Sequence, residues 1–205
     1  MRVLALDLSS KTGWAFFDEG VLKDRGLVQL GQPILSFCEY PWCYMEAARA
    51  QAEKVYAVVQ AIKPDRIVIE ETNAGRNRYT QKFLEFLHCR ILQLLEGRDV
   101  VYISSGVWRH KLELKLSAMD KRKNARIREA KKIAKQKGEK VDQSLLKELG
   151  QKGRKGKKHL AVEYANANYG LQLKMKDNDI ADAICLGTAL LKGAEICDGN
   201  RDWRD

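Results

Sequence analysis

Apolar and polar positions alternate along this chain in patterns that predict most of its elements. Residues 3–8 are almost wholly apolar and short enough for a buried strand, and after the turn-like Ser9-Ser10-Lys11-Thr12-Gly13 the run Trp14-Ala15-Phe16-Phe17 reads as its hairpin partner. Asp18-Glu19-Gly20 is a second turn, and residues 21–30 give a third antiparallel strand. Residues 31–43, with Pro33 and Pro41, read as a loop into a helix over 44–62, whose Ala48, Val55, Val58, Val59 and Ile62 recur at helical spacing. Lys63-Pro64-Asp65 ends that helix, and residues 66–70 suit a central parallel strand.

A second helix is predicted over 79–96. It carries Phe83, Leu84, Phe86, Leu87, Ile91, Leu92, Leu94 and Leu95, more apolar surface than one sheet can cover, so it is the candidate for a subunit interface. Residues 99–103 form a further strand, and Ser104-Ser105-Gly106 opens a helix holding Val107 and Trp108. From about 115 to 156 the pattern changes to Lys, Arg, Gln and Gly with few large apolar residues, and the stretch 150–156 is expected to be mobile. Two helices follow, near 158–167 and 178–192, and then a polar tail. Three antiparallel strands followed by helix, strand, helix, strand and helix describe a mixed α/β layer fold. With 205 residues, one domain with an elaboration at 115–156 is expected.

Charge sharpens this picture. Of the 37 Lys+Arg, 19 lie in residues 109–158 beside only 6 of the 27 Asp+Glu, so this one segment makes the protein basic. A concentrated positive charge speaks of partners, and nucleic acid is the commonest polyanionic one; a solvated basic helix is the bland alternative. No apolar run reaches the roughly 18 residues of a membrane span, and the first residues lack the long apolar region and small-residue cleavage site of a signal peptide. Five cysteines without a C-x-x-C pair fit free thiols in a reducing compartment, the cytoplasm, rather than disulfides or zinc.

The candidate chemistry is acidic. Asp7 stands at the end of the first strand and Glu70 at the end of the fourth, with Glu71 beside it as an alternative; Asp179 and Asp182 are three apart on one face of the last helix. Each has a structural alternative, Asp7 as a turn former and Asp179 and Asp182 as first-turn carboxylates of a helix. Four carboxylates brought together would need cations to neutralise them, and two divalent ions such as Mg²⁺ supply that charge and bind phosphate oxygens. This is the usual apparatus of two-metal phosphodiester cleavage. His88 and Cys89, in the apolar second helix, are expected to pack rather than ligate, and Trp14 and Trp108 are expected in the core.

Four strings then resemble, in order, the conserved blocks of the RuvC-like Holliday junction resolvases of the RNase H superfamily: LALDLSSKTGWAFF (4–17), IVIEETNAGRN (67–77), VYISSGVWRHKL (101–112) and DNDIADAICLGTAL (177–190). The resemblance implies an RNase H-like fold, a mixed five-stranded sheet flanked by helices with a basic helical or flexible insertion. It implies Asp7, Glu70, Asp179 and Asp182 as catalytic metal ligands for two Mg²⁺ ions, with Mn²⁺ as a substitute, and Ala183 completing the last motif. Lys158 best resembles the family's basic residue near the scissile phosphate, with Lys157 and His159 as neighbours that could exchange the role. The expected activity is resolution of Holliday junctions or related branched DNA by paired nicks, performed by a homodimer in the cytoplasm of a bacterial or phage-infected cell. In that mechanism Asp7 bridges both ions.

The sequence departs from the family in two places. About forty residues are inserted where compact members run directly to the basic helix, which suggests a phage-type or divergent member. The loop after Glu70 also differs, with Arg76 and Arg78 as candidate phosphate contacts. Lys121, Arg122, Lys123, Arg126, Arg154, Lys155 and Lys157 of the basic segment are the other DNA-binding candidates. Two rival readings exist. Asp7-Leu8-Ser9-Ser10-Lys11-Thr12-Gly13 also looks like the first phosphate loop of an actin-like or sugar-kinase-type ATPase, although no second phosphate loop or Gly-Gly adenosine motif follows. The other rival is a branched-DNA-binding module without catalysis, against which the retention of all four carboxylates argues.

Overall fold

The computed structural model describes residues 1–30, 39–72, 78–138, 140, 143–150 and 153–196. Five strands, β1 (Arg2–Asp7), β2 (Lys11–Asp18), β3 (Val21–Gln29), β4 (Arg66–Glu70) and β5 (Asp99–Ile103), form one sheet in the order β3-β2-β1-β4-β5. β1, β2 and β3 are an antiparallel meander, while β4 pairs parallel with both β1 and β5. This is the mixed five-stranded sheet that the apolar pattern predicted. β2 runs beyond its expected apolar core at both ends because the pairing with β1 and β3 continues from Lys11 to Asp18.

β1 is central and buried on both faces, which is why it reads as a continuous apolar run. Its alternate residues divide two cores. Val3 and Ala5, with Ala15, Phe17 and Val68, face α3 (Ser105–Lys111), α6 (Lys157–Tyr169) and α7 (Asn178–Leu191). Leu4 and Leu6, with Ile67 and Ile69, face α1 (Trp42–Ile62) and α2 (Arg78–Leu94).

One expectation is corrected here. α2 does not present its apolar stripe to solvent: Phe83, Leu87 and Ile91 are buried against the sheet and α1 packs along it, while Leu92 and, at the helix start, Tyr79 remain well exposed. Of the two forms expected for the basic insertion, helical or flexible, the helical one is found over most of its described residues. The insertion contains α4 (Ala118–Lys137) and α5 (Gln143–Glu148), with α4 started by Ser117, whose Oγ accepts the Asp120 N–H, and stopped by Gly138 in the left-handed region at φ 70°. Of the stretch 150–156, residues 151 and 152 lie outside the described residues, as do Cys38 and Cys197; Cys43, Cys89 and Cys185 are free thiols. His88 packs as expected, its Nδ1 3.1 Å from the Tyr102 hydroxyl, and burial lowers its pKa to about 4. Among the described residues no helix is long and apolar enough to cross a membrane.

α7 lies across β1 and β2 more closely than ordinary side chains permit. Gly13 of β2 meets the α7 backbone directly: a Cβ there would stand 1.9 Å from the Asp179 carbonyl oxygen. Gly13→Ala must therefore push the start of α7 off the sheet. We expect a loss of about 1–3 kcal/mol, the usual cost of overpacking, read as a lowered urea midpoint; an unchanged midpoint would show that the contact is looser than described.

Candidate active site

The same strand periodicity that builds the two cores brings the acidic residues together. Asp7 continues the Val3–Ala5 face and Glu70 the Val68 face, and because Leu6 pairs with Ile69 the two carboxylates end neighbouring parallel strands on the side covered by α7. The close approach at Gly13 then sets Asp179 and Asp182, on the first turns of α7, over those strand ends. All four line a single cavity of about 300 Å³, together with Arg109 and Lys158.

Crowding shows in the proton affinities. Burial is the main reason the Asp7 carboxyl is raised well above the ordinary range, and repulsion from Glu70, Asp182 and Asp179 adds to it. Burial likewise pushes Asp182 up to about 7, against the pull of Arg109. Glu70 is raised too, chiefly by burial, while Arg109 and a hydrogen bond from Trp108 restrain the rise.

Three cationic or polar groups offset this charge, and sequence reasoning anticipated only one of them. Lys158 Nζ lies 3.2 Å from Asp179 Oδ1 and also bonds Asn178 Oδ1. Of its two possible substitutes, Lys157 is exposed and His159 accepts the Gly156 N–H through Nδ1 at 3.1 Å, so Lys158 is the one that reaches a carboxylate. Trp108 is wholly buried, as expected, yet its indole N–H donates to Glu70 Oε2 at 2.9 Å. A buried Trp needs such an acceptor, and that requirement was the available clue. Arg109 stacks on the Trp108 ring with Cζ 4.0 Å from its centroid, donates to the Ser105 carbonyl at 3.1 Å, and holds Nη2 3.7 Å from Asp182 Oδ1. Glu71 also borders the cavity, but it follows the end of β4 and is exposed, whereas Glu70 is the carboxylate bonded to Trp108.

Among the described residues, no group of three or more His, Cys, Asp or Glu is arranged to hold a metal ion outright. The donor set nevertheless fits divalent cations in kind: four carboxylates outnumber two fixed cations, and Asp182 Oδ1 is buried without a hydrogen bond. The loop after Asp7 is tied up internally. Thr12 Oγ1 donates to the Ser9 carbonyl at 2.8 Å, the Ser9 N–H donates to Thr12 Oγ1 at 3.2 Å and the Lys11 N–H to Ser9 Oγ at 3.0 Å, which leaves these donors less available for a nucleotide's phosphates.

The basic candidates are dispersed. Lys121, Arg122 and Arg126 are exposed on α4, Arg126 pairing with Glu148 at 3.2 Å, and Lys123 is half-buried on the same helix. Arg154 and Lys157 are exposed before and at the start of α6, and Arg78 is exposed at the first residue of α2. Arg76 lies outside the described residues. Lys155 departs from its expected role. Its ammonium is held by Glu163 at 2.7 Å and Asp120 at 3.3 Å, so it serves internal contacts rather than standing free for phosphate.

Comparison with known proteins bears on the fold. No protein-family model matches the sequence, and no curated protein matches it either. Among solved structures, the chain is similar to RuvC of Thermus thermophilus in complex with a Holliday junction substrate, with a TM-score of 0.52 and 14% identity over 96% of this chain and 99% of that one. Another T. thermophilus RuvC structure gives the same TM-score and identity over 96% and 100%. The yeast mitochondrial Holliday junction resolvase Ydc2 aligns at a TM-score of 0.49 and 15% identity, over 93% of this chain and 78% of its own. The chain has the RNase H-like fold of RuvC.

The raised carboxyls make stability depend on pH in a definite direction. A carboxyl near 7 in the folded state and about 3.9 when unfolded leaves the folded protein binding more protons between those values. Stability is thus fully present below about 4 and is lost as pH rises through about 7, at about 1.4 kcal/mol for each unit of separation. In EDTA the urea midpoint should be lower at pH 8 than at pH 5, and Asp182→Asn should flatten the difference. Equal wild-type midpoints would contradict the crowding.

Proposed function

We propose that this protein is a metal-dependent, structure-selective DNA endonuclease that resolves four-way junctions or related branched DNA. The observation that supports it most is the convergence of Asp7, Glu70, Asp179 and Asp182 with Lys158 in one cavity, on a sheet of RuvC-like fold. Asp7, Glu70, Asp179 and Asp182 would hold Mg²⁺ or Mn²⁺. Such ions, when bound, would supply an activated water and charge stabilisation at the leaving 3′ oxygen. Trp108 fixes the Glu70 carboxylate, so one of its oxygens keeps a constant orientation. Arg109, braced on Trp108 and Ser105, lowers the cost of holding Asp182 ionised. Lys158, paired with Asp179 yet more than half exposed at the cavity, is placed to meet the scissile phosphate.

The whole chain is read as one nuclease domain interrupted by the basic insertion. A homodimer matches the near two-fold symmetry of a four-way junction and would give paired nicks. The outer side of α2 at Leu92 is the candidate contact; Leu87 is excluded because it is wholly buried in the core. Exposed basic residues of α4 would grip phosphates outside the catalytic centre without reading bases.

A synthetic four-way junction beside a linear duplex, each with Mg²⁺ or EDTA, tests the activity: cleavage of the junction with Mg²⁺ alone is expected, and no cleavage of any branched DNA would refute it. Asp7→Asn should abolish nicking while binding in EDTA persists, since a repulsive carboxylate is removed. Neutralising Lys121, Arg122 and Arg154 together to Gln should leave the cut positions unchanged and shallow the slope of log K against log salt by about 0.9 for each lost phosphate contact. An unaltered slope would mark these residues as solvated bystanders. Leu92→Glu should lower the solution mass from twice 23.4 kDa to 23.4 kDa.

A further inference from the structure

The insertion is joined to the body of the protein by an unusual contact. α4 is strongly basic and largely solvated, yet Asn124, in its second turn, is buried along with Ile127 and Ala134 further on. Its side chain grips the backbone of a residue 31 positions away at both polar groups: Nδ2 donates to the Lys155 carbonyl at 2.7 Å, and Oδ1 accepts the Lys155 N–H at 2.8 Å. The amide thus satisfies a stretch of chain that has no helix or strand partner of its own. Lys155 completes the fastening, its ammonium bridging Asp120 on the first turn of α4 to Glu163 on α6.

What this clamp holds is the chain just before the helix that carries Lys158. Gly156 follows and caps α6, its N–H bonded to His159 Nδ1 at 3.1 Å. Lys157 and Lys158 are the first two helical residues, and Lys158 reaches Asp179 across the acidic cavity. Nothing at the start of α6 supplies a side-chain cap from its own N-cap residue, which is a glycine. Leu160, Ala161, Val162 and Ala165 fix the body of α6 in the core, so it is the first turn, ahead of them, that depends on where residues 155 and 156 are held, and Lys158 lies in that turn.

Resting on the nuclease reading, we infer that Asn124 is a positioning residue: through the Lys155 backbone it sets the start of α6, so that the basic insertion orients Lys158 at the acidic site as well as carrying DNA-gripping charge. An insertion tethered by flexible ends could add affinity, but it could not place a catalytic group. Such a tether has no need of a bidentate amide clamp. Closed on Lys155, one turn of chain ahead of Lys158, the clamp fits the orienting role.

The test uses the full-length protein and two readouts, hydrogen exchange over residues 153–162 and single-turnover cleavage of a synthetic four-way junction with Mg²⁺. Asn124→Ala should speed exchange in that segment while β1 and β4 keep their protection. It should slow cleavage by about tenfold or more, the scale on which small misplacements act, with junction affinity kept within about threefold because no phosphate-facing charge is lost. The same substitution should cost little further in a Lys158→Ala background, since both act through one group. Lys155→Met and Asn124→Asp, which each remove part of the clamp, should give smaller effects in the same direction and serve if Asn124→Ala does not fold. Unchanged exchange at 153–162, protection lost evenly across the sheet, or a cleavage defect that multiplies with that of Lys158→Ala would each overturn the inference. A wild-type protein that cleaves no branched DNA would instead refute the nuclease reading, and the exchange data would still decide whether Asn124 holds the start of α6.

Discussion

Four carboxylates share one small cavity at the ends of the central strands β1 and β4, and their mutual repulsion in a partly buried place is the constraint around which the surrounding structure is arranged. Burial alone raises Asp7, Glu70 and Asp182, and proximity adds to the rise for Asp7 and Asp182. Such a cluster is costly unless cations or donors answer it. Each neighbour does so in its own way: Lys158 from α6, Arg109 and the Trp108 indole from α3. The fold supplies a rigid frame for this. Two parallel strands end side by side, and α7 lies against them at a glycine where its backbone touches β2.

This frame explains why the residues around the site are so unequal in tolerance. Gly13 has no room for a methyl group because the Asp179 carbonyl occupies it, and Gly187 faces Phe17 and Ala5 almost as closely. These contacts bring α7 down onto the sheet, and the position of α7 in turn decides whether Asp179 and Asp182 reach Asp7 and Glu70. Packing and chemistry are therefore the same constraint at these strand ends. The insertion obeys a different logic: α4 is mostly solvated, and beside its buried Ile127 and Ala134 the polar contacts at Asn124 and Lys155 join it to the chain ahead of α6.

Much of this was legible in the sequence because it depends on short-range period and spacing. Continuous apolar runs identified the central strands, and the i, i+3 spacing of Asp179 and Asp182 put both on one face of the last helix. The basic segment was read by its charge, which left a helical and a flexible form both open, although Ser117 and Gly138 mark the start and stop of a helix. Few large apolar residues meant a weak periodic signal, so the caps were the better guide. The apolar excess of α2 was visible, but which side met α1 and which met solvent was not.

By itself, then, the sequence determined the order and type of the elements outside the insertion and which carboxylates end strands or share a helix face, because periodicity within a strand or helix fixes which residues share a face. Only the tertiary structure decided that Trp108, 38 residues from Glu70, would hold its carboxylate, that Arg109 would stand beside Asp182, and that Lys155 would be consumed by Asp120 and Glu163. Those contacts join residues far apart in the chain, and no local period encodes them. They arise where separately formed elements pack, and a buried charge or indole N–H then takes whichever partner the packing brings within reach.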